Sequence, residues 1–369
     1  MNEVEKTINE IPINEIVDKP MYGKSNLILD SQIFSSIMNC PRLTDFRFNH
    51  NFISIGGKSS SLECGSIIHT FMKYFYKAII NGVKRADALG FGITAAELYI
   101  KGCPHCTDFI PSICEYCNGT GMVDMANDVE IKPIPCDRCN GNGGIKKPSC
   151  NHKINEFPGV KNTEAEGSGY NIGWKYVLNT CEQYAEFYRN DHWVPIEVDT
   201  VKGEVLYEDS EVRIIWKAQI DLVMDTNQGI FPVDHKTMKA RRDTLSLNNQ
   251  FIGQCLLMKT RNVFIDKIGF QKSLKAEEKF TRPPVSYTAE RLIEWQSEIL
   301  PYYAKLLLMY TESGYWPPNF SHCETKYGNC AFVDVCQSNP SMREQDLKNN
   351  FMTGEVWDIQ SDNVMNGNE

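Results

Sequence analysis

Two acids and a lysine crowd the stretch QIDLVMDTNQGIFPVDHKT, residues 219–237. Asp221 precedes a polar turn, and Asp234 and Lys236 follow it in an Asp-His-Lys run. Carboxylates brought together repel unless a cation joins them. Oxygen ligands suit Mg²⁺ or Mn²⁺. Such an ion polarises a phosphoryl oxygen and lowers the pKa of a bound water. Lys236 can stabilise the developing negative charge or orient the nucleophile. The chemistry that fits is hydrolysis of a phosphodiester.

The elements that would position these groups follow from alternation. Ala218, Ile220, Leu222 and Met224 fall on one strand face, with Lys217, Gln219 and Asp221 on the other. Asp225–Gly229 reads as a hairpin turn. The return strand puts Phe231, Val233 and His235 on one face, opposite Asp234 and Lys236. Pairing the two strands brings Asp221, Asp234 and Lys236 together. Upstream, a helix capped by Asp30 or Ser31 carries Ile33, Phe34, Ile37 and Met38, and a second runs from Gly65 through His69, Phe71, Met72 and Phe75. Helical periodicity returns at Ile172–Tyr188. Strands are predicted near 194–207, 211–224 and 230–236, then a helix at Leu247–Lys259, a strand at Val263–Phe270 and a long helix at Ala289–Thr311. This order predicts an α/β core with a helical subdomain before it. The expected segments are a polar 1–27, helical 28–102, a Cys-rich insert 103–152, a linker 153–170, the core 171–336 and a loose polar tail 337–369.

Fourteen cysteines in a chain whose first residues do not resemble a signal peptide point to metal before disulfides. Cys64, Cys181 and Cys255 sit singly in apolar, helix-like stretches and read as core thiols. The rest form two groups. The first holds CPHC (Cys103, Cys106), CEYCNGTG (Cys114, Cys117), CDRCNGNG (Cys136, Cys139) and Cys150 with His152. A Cys-x-x-Cys turn presents two thiolates to one tetrahedral Zn²⁺, and the glycines permit the tight backbone. The second group pairs Cys40 with Cys323, Cys330 and Cys336. Four thiolates suit either a [4Fe–4S] cluster or a structural zinc.

A net charge of −9 gives no bulk attraction to nucleic acid, so local fields decide contact. Lys239, Arg241 and Arg242 follow the acid–acid–lysine motif directly; Lys259, Arg261, Lys279 and Arg282 come later, where a solvated charged face is the simpler expectation. No apolar run is long enough for a membrane span. The expected location is cytoplasmic, in a bacterial or phage-infected cell.

The motifs together resemble the PD-(D/E)xK nuclease superfamily, in the RecB-like, iron–sulfur-containing branch that includes CRISPR adaptation nucleases and AddAB nuclease domains. Asp221 matches the first Asp, Asp234 the second acid and Lys236 the lysine. GSIIH supplies the branch's helical Gly and His as Gly65 and His69, and NNQFIGQCLLMK supplies its Gln as Gln250, with Gln254 where that branch has Tyr. Glu197 matches an acid on an earlier strand, though a surface strand glutamate is the simpler account. The resemblance implies a mixed central sheet flanked by helices. It implies Mg²⁺ or Mn²⁺ on His69, Asp221, Asp234 and the His235 carbonyl, with Gln250 beside the lysine. It also implies a [4Fe–4S] cluster on Cys40, Cys323, Cys330 and Cys336 that clips the two ends of the domain, a closure that removes unfolded-state entropy.

Residues 103–152 resemble the zinc-binding domain of DnaJ-type chaperones. That implies one zinc on Cys114, Cys117, Cys136 and Cys139, and a second on Cys103, Cys106, Cys150 and His152. Nothing else supports a chaperone, and the J-domain tripeptide His-Pro-Asp is absent. The resulting expectation is a metal-dependent exonuclease on single-stranded DNA ends, in recombination, repair or phage genome processing, with Lys239, Arg241 and Arg242 on phosphates. The zinc insert would serve docking to a protein partner. The competing reading is a non-catalytic DNA-binding or assembly subunit that keeps the fold as a clamp.

Overall fold

A computed structural model describes residues 25–54, 60–100, 174–238, 247–270, 274–325 and 328–354, with the backbone of four short strands between 112 and 145. The described part is a mixed sheet with helices on both faces. Its strands are β1 (Ser25–Leu29), β3 (Val194–Glu208), β4 (Val212–Thr226), β5 (Gly229–Met238), β6 (Asn262–Gly269), β7 (Phe280–Thr281) and β8 (Pro284–Ser286). β2 (Phe52–Ser54) pairs separately with β9 (Phe351–Thr353). β3–β4 and β4–β5 are antiparallel, whereas β1–β4 and β5–β6 are parallel.

The principal helices are α1 (Ser31–Asn39), α2 (Ser60–Ile80), α3 (Arg85–Ile100), α4 (Trp174–Phe187), α5 (Asn249–Leu257), α6 (Leu300–Ser313), α7 (Val333–Gln337) and α8 (Arg343–Asn350). Asp30 caps α1 as its residue type predicts: one carboxylate oxygen accepts from the amides of Gln32 and Ile33, each at 2.8 Å. The apolar stripe Ile33, Phe34 and Ile37 is buried. Phe34 meets Trp216, Trp295 and Tyr303 edge-on at ring separations of 5.5, 5.5 and 5.6 Å. That cluster covers one sheet face, together with α5 and α6. On the other face α2 buries Ile67, Ile68, Phe71, Met72 and Phe75 among residues of α3, α4 and the sheet. Cys64, Cys181 and Cys255 are buried, as expected, and burial pushes the Cys255 thiol up to about 12.

Two features depart from the sequence expectation, and one helix forms without the usual apolar pattern. β1 lies in a segment that composition marks as polar; it exists because its alternate residues Leu27 and Leu29 are fully buried against β4. α3 falls within the helical 28–102 expected from the sequence, although it carries no clear apolar stripe and contains Gly90 and Gly92. Gly92 is there for packing: a Cβ would come within 2.6 Å of the Phe71 ring, so α2 and α3 pack with backbone against ring. Polar composition predicts a loose tail from Gln337, yet α8 forms and β9 returns to pair with β2. Phe351 stacks on Phe332 at 4.4 Å, and Phe332 meets Phe46 at 5.0 Å, so two aromatic contacts hold β9 in place.

Gly253 on α5 faces the Trp216 indole, and a Cβ there would collide with it. Gly253→Ala is expected to cost about 1–3 kcal/mol by overpacking. Gly90→Ala, with open space around its Cβ, is expected to gain about 0.5–1 kcal/mol. Urea midpoints of the two variants check this; equal shifts of the same sign would show that the α5–Trp216 contact is not tight.

Candidate active site

The site forms where the sheet opens. β3 pairs with β4 along nearly its whole length, so β1 and β5 must share β4's other edge. There β1 pairing ends at Trp216 and β5 pairing begins at Leu222. Residues 217–221 have no strand partner on that side. Gln254 of α5, buried, reaches into the gap, and its amide donates to the Gln219 carbonyl at 3.4 Å. Gln254 therefore serves β4, not the acid cluster, which is why its place in the Gln-x-x-x-Tyr pattern carries no site role.

Asp221 stands at the opening. Its Oδ2 accepts the His235 backbone N–H at 2.8 Å, a donor that β4 no longer engages through its backbone. His69 of α2 lies beside it, with Nδ1 3.6 Å from Oδ2. Asp234 and Lys236 project to the α5 side. Gln250 bridges them: its amide donates to Asp234 Oδ1 at 2.8 Å, and its Oε1 accepts from Lys236 at 3.2 Å. Asn248 caps α5 by accepting the Gln250 N–H at 2.9 Å, which fixes where that bridge starts. Lys236 Nζ is also 3.2 Å from Asp234 Oδ2 as an ion pair. The sequence thus brings together Asp221, Asp234, Lys236, His69, His235 and Gln250.

The electrostatics follow from burial. Asp234 is 1% exposed, and desolvation pushes its carboxyl up to about 7; Asp221 adds to the rise, and Lys236 opposes it. Burial also lowers the His69 imidazole below its ordinary value, against the pull of Asp221, which favours the neutral ring that a metal needs. Asp234 Oδ2 is buried beside the Lys236 ammonium. A buried carboxylate beside a second acid fits a hard cation. Among the described residues no three His, Cys, Asp or Glu side chains close to metal-ligand spacing. Mg²⁺ asks for only one or two carboxylates and completes its shell with water, which the Asp221–Asp234 pair meets.

Behind the acids lies a polar layer that sequence reasoning missed. His235 Nδ1 is 3.0 Å from Asp266 Oδ2, and its ring stacks on Tyr76. Arg282 donates to Asp266 at 3.2 Å and to the Tyr76 and Tyr184 hydroxyls at 2.7 Å each, and pairs with Asp191. Arg282 and Lys279 are therefore not part of a solvated basic face: both are buried, and Lys279 donates to Gln183 at 2.7 Å. The spacing of these residues carries no signal, because four separate segments supply them. Asp199 is another such residue. It takes a left-handed φ of 53° on β3 opposite Asp221, and it holds both Gln219 and Lys73. Glu197 pairs with Lys202 at 2.8 Å, as a surface strand glutamate would.

Cys40, Cys323, Cys330 and Cys336 line one pocket with Phe332 and Arg42. They come from the end of α1 and from the segment entering α7, far apart in sequence. Burial and mutual proximity raise the Cys323 and Cys330 thiols. In the insert, Met122–Asn127 pairs with Glu130–Pro135, and Ser112–Ile113 with Gly144–Ile145. The expected zinc ligands Cys103, Cys106, Cys114, Cys117, Cys136, Cys139, Cys150 and His152 lie outside the described residues, as do Lys239, Arg241 and Arg242. Among the described residues no helix is long and apolar enough to cross a membrane.

No family model matches the chain, and no curated protein matches it. Among solved structures it is similar to one titled "Crystal structure of SSO0001", at 10% identity and a TM-score of 0.26. That match spans 44% of this chain and 70% of the other. A likeness so faint carries no argument.

The raised Asp234 pKa has a stability consequence. A carboxyl raised from about 3.9 unfolded to about 7 folded holds an extra proton in the native state, so its contribution is full below pH 4 and is lost as pH rises through 7. In chelator, Asp234→Asn is expected to gain stability over wild type at up to about 1.4 kcal/mol per pH unit in that window and to level off above it. Urea unfolding at several pH values reads this; a pH-independent difference would mean that Asp234 titrates normally.

Proposed function

We propose that the chain is a divalent-metal-dependent nuclease, with single-stranded DNA ends as its substrate class. The observation that carries the reading is the opening in the sheet. There a buried Asp234 lies close to Asp221, and one amide, that of Gln250, spans Asp234 and Lys236. Asp221, Asp234 and the His235 carbonyl would hold Mg²⁺ or Mn²⁺, with His69 beside them. The ion, when bound, supplies Lewis acidity to the phosphodiester and to the attacking water.

The protein's own groups do the rest. Asp221 stays oriented because His235 N–H holds its Oδ2. Gln250 keeps Lys236 directed at the acids, so the ammonium sits where negative charge develops in the transition state. Phe251, whose ring centroid is 5.8 Å from Lys236 Nζ, gives that ammonium a weakly polar wall. Lys239, Arg241 and Arg242, next in the chain, are proposed to neutralise phosphates.

The test is cleavage of end-labelled single-stranded DNA in Mg²⁺ or Mn²⁺. Lys236→Ala is expected to lower kcat by about 100–1,000-fold with little change in DNA affinity. Equal rates for wild type and Lys236→Ala would remove the lysine from catalysis. DNA retained in a gel shift, with no cleavage in any metal, would favour the assembly-subunit reading.

We further propose that Cys40, Cys323, Cys330 and Cys336 hold a [4Fe–4S] cluster, because the fold gathers all four around one pocket. Protein purified without oxygen is expected to be brown, and Cys330→Ser to be colourless and easier to unfold. A colourless wild type carrying stoichiometric zinc would assign zinc there instead.

A further inference from the structure

The polar layer behind the acids is larger than one imidazole needs. Asp266 lies beside His235 in the parallel β5–β6 register, fully buried. It accepts from His235 Nδ1, Arg282 Nε and the Tyr184 hydroxyl. The Tyr76 and Tyr184 hydroxyls are 2.6 Å apart, and Arg282 packs its guanidinium 3.7 Å from the Tyr188 ring centre. Arg282 holds Asp266 in its charged form, well below where burial alone would leave it. Residues of α2, α4, β6 and the turn after β7 thus converge on a single side chain.

Buried ion pairs of this kind are weak stabilisers, since apolar residues of equal volume do as well or better. What this one does is fix geometry. His235 is the sole residue between Asp234 and Lys236, and its N–H is the donor that holds Asp221. An imidazole tied at Nδ1 and stacked on Tyr76 anchors the His235 residue from its side chain. The position of the Asp221 carboxylate is therefore set from the far side of the sheet.

We propose that Asp266 and Arg282 are positioning residues of the acid site, acting through the His235 imidazole on the peptide that orients Asp221. This rests on the reading of Asp221 and Asp234 as a divalent-cation site. The ligand is the metal alone, so the effect is measurable without DNA.

The experiment is a calorimetric titration of the full chain with Mn²⁺, alongside its unfolding midpoint. Asp266→Asn and His235→Leu are expected to bind Mn²⁺ about 10–100-fold more weakly, and His235→Asn, whose amide can replace the Nδ1 donor, to stay within about threefold of wild type. With DNA, the half-saturating Mn²⁺ concentration should rise more than kcat at saturating metal falls, a split that mere destabilisation does not produce. If Asp266→Asn fails to fold, Tyr184→Phe removes one donor from Asp266 while keeping the ring, and a smaller loss of Mn²⁺ affinity is expected. Wild-type affinity in the variants that fold would overturn the inference and leave the site intact. So would His235→Asn failing as badly as His235→Leu. A wild type that binds no Mn²⁺ would instead defeat the reading of the acids as a cation site, and this inference with it.

Discussion

The hydrogen bond from the His235 amide to Asp221 is the constraint on which the site depends. In a continuous ladder that amide would face a backbone carbonyl. Here β5 parts from β4 after the Leu222–Val233 pair, and a carboxylate takes the donor. The separation also leaves Asp234 buried beside a second acid, its charge offset by Lys236. A closed sheet would satisfy the backbone but leave no room for a ligand. The opening trades ladder bonds for a polar notch, and α5 supplies Gln254 to the gap and Gln250 to the acids as partial replacement.

Each face of the sheet controls a different part of the notch. On the α5 side, Gln250 and Lys236 neutralise and direct Asp234. On the α2 and α4 side, the Asp266–Arg282 layer holds His235, and His69 approaches Asp221. His235 sits between, its side chain in one layer and its backbone serving the other. A separate aromatic cluster, around Phe46, Phe332 and Phe351, lies beside the pocket where the Cys40 and Cys323–Cys336 segments meet.

The hairpin and its acids were legible in the sequence because period-2 alternation and turn residues are local signals. The observed strands end within a few residues of where those signals place them, and a two-residue turn joins them. His69 and Gln250 were legible only through resemblance to a known motif order. Asp266, Arg282, Tyr76 and Tyr184 were not legible, since a buried network assembled from four segments has no spacing of its own. Arg282 looked like one more surface cation until its burial was known. α8 was hidden by composition: it buries none of its own residues and is held by the aromatic contact that follows it.

The central claim is that Asp221 and Asp234 together form a cation site. The most direct measurement is anomalous scattering from a crystal grown with Mn²⁺. The expected result is a peak within about 2.0–2.5 Å of both carboxylates and of the His235 carbonyl oxygen. Clear density for the two acids with no peak between them, at a Mn²⁺ concentration that fills other sites in the crystal, would contradict it.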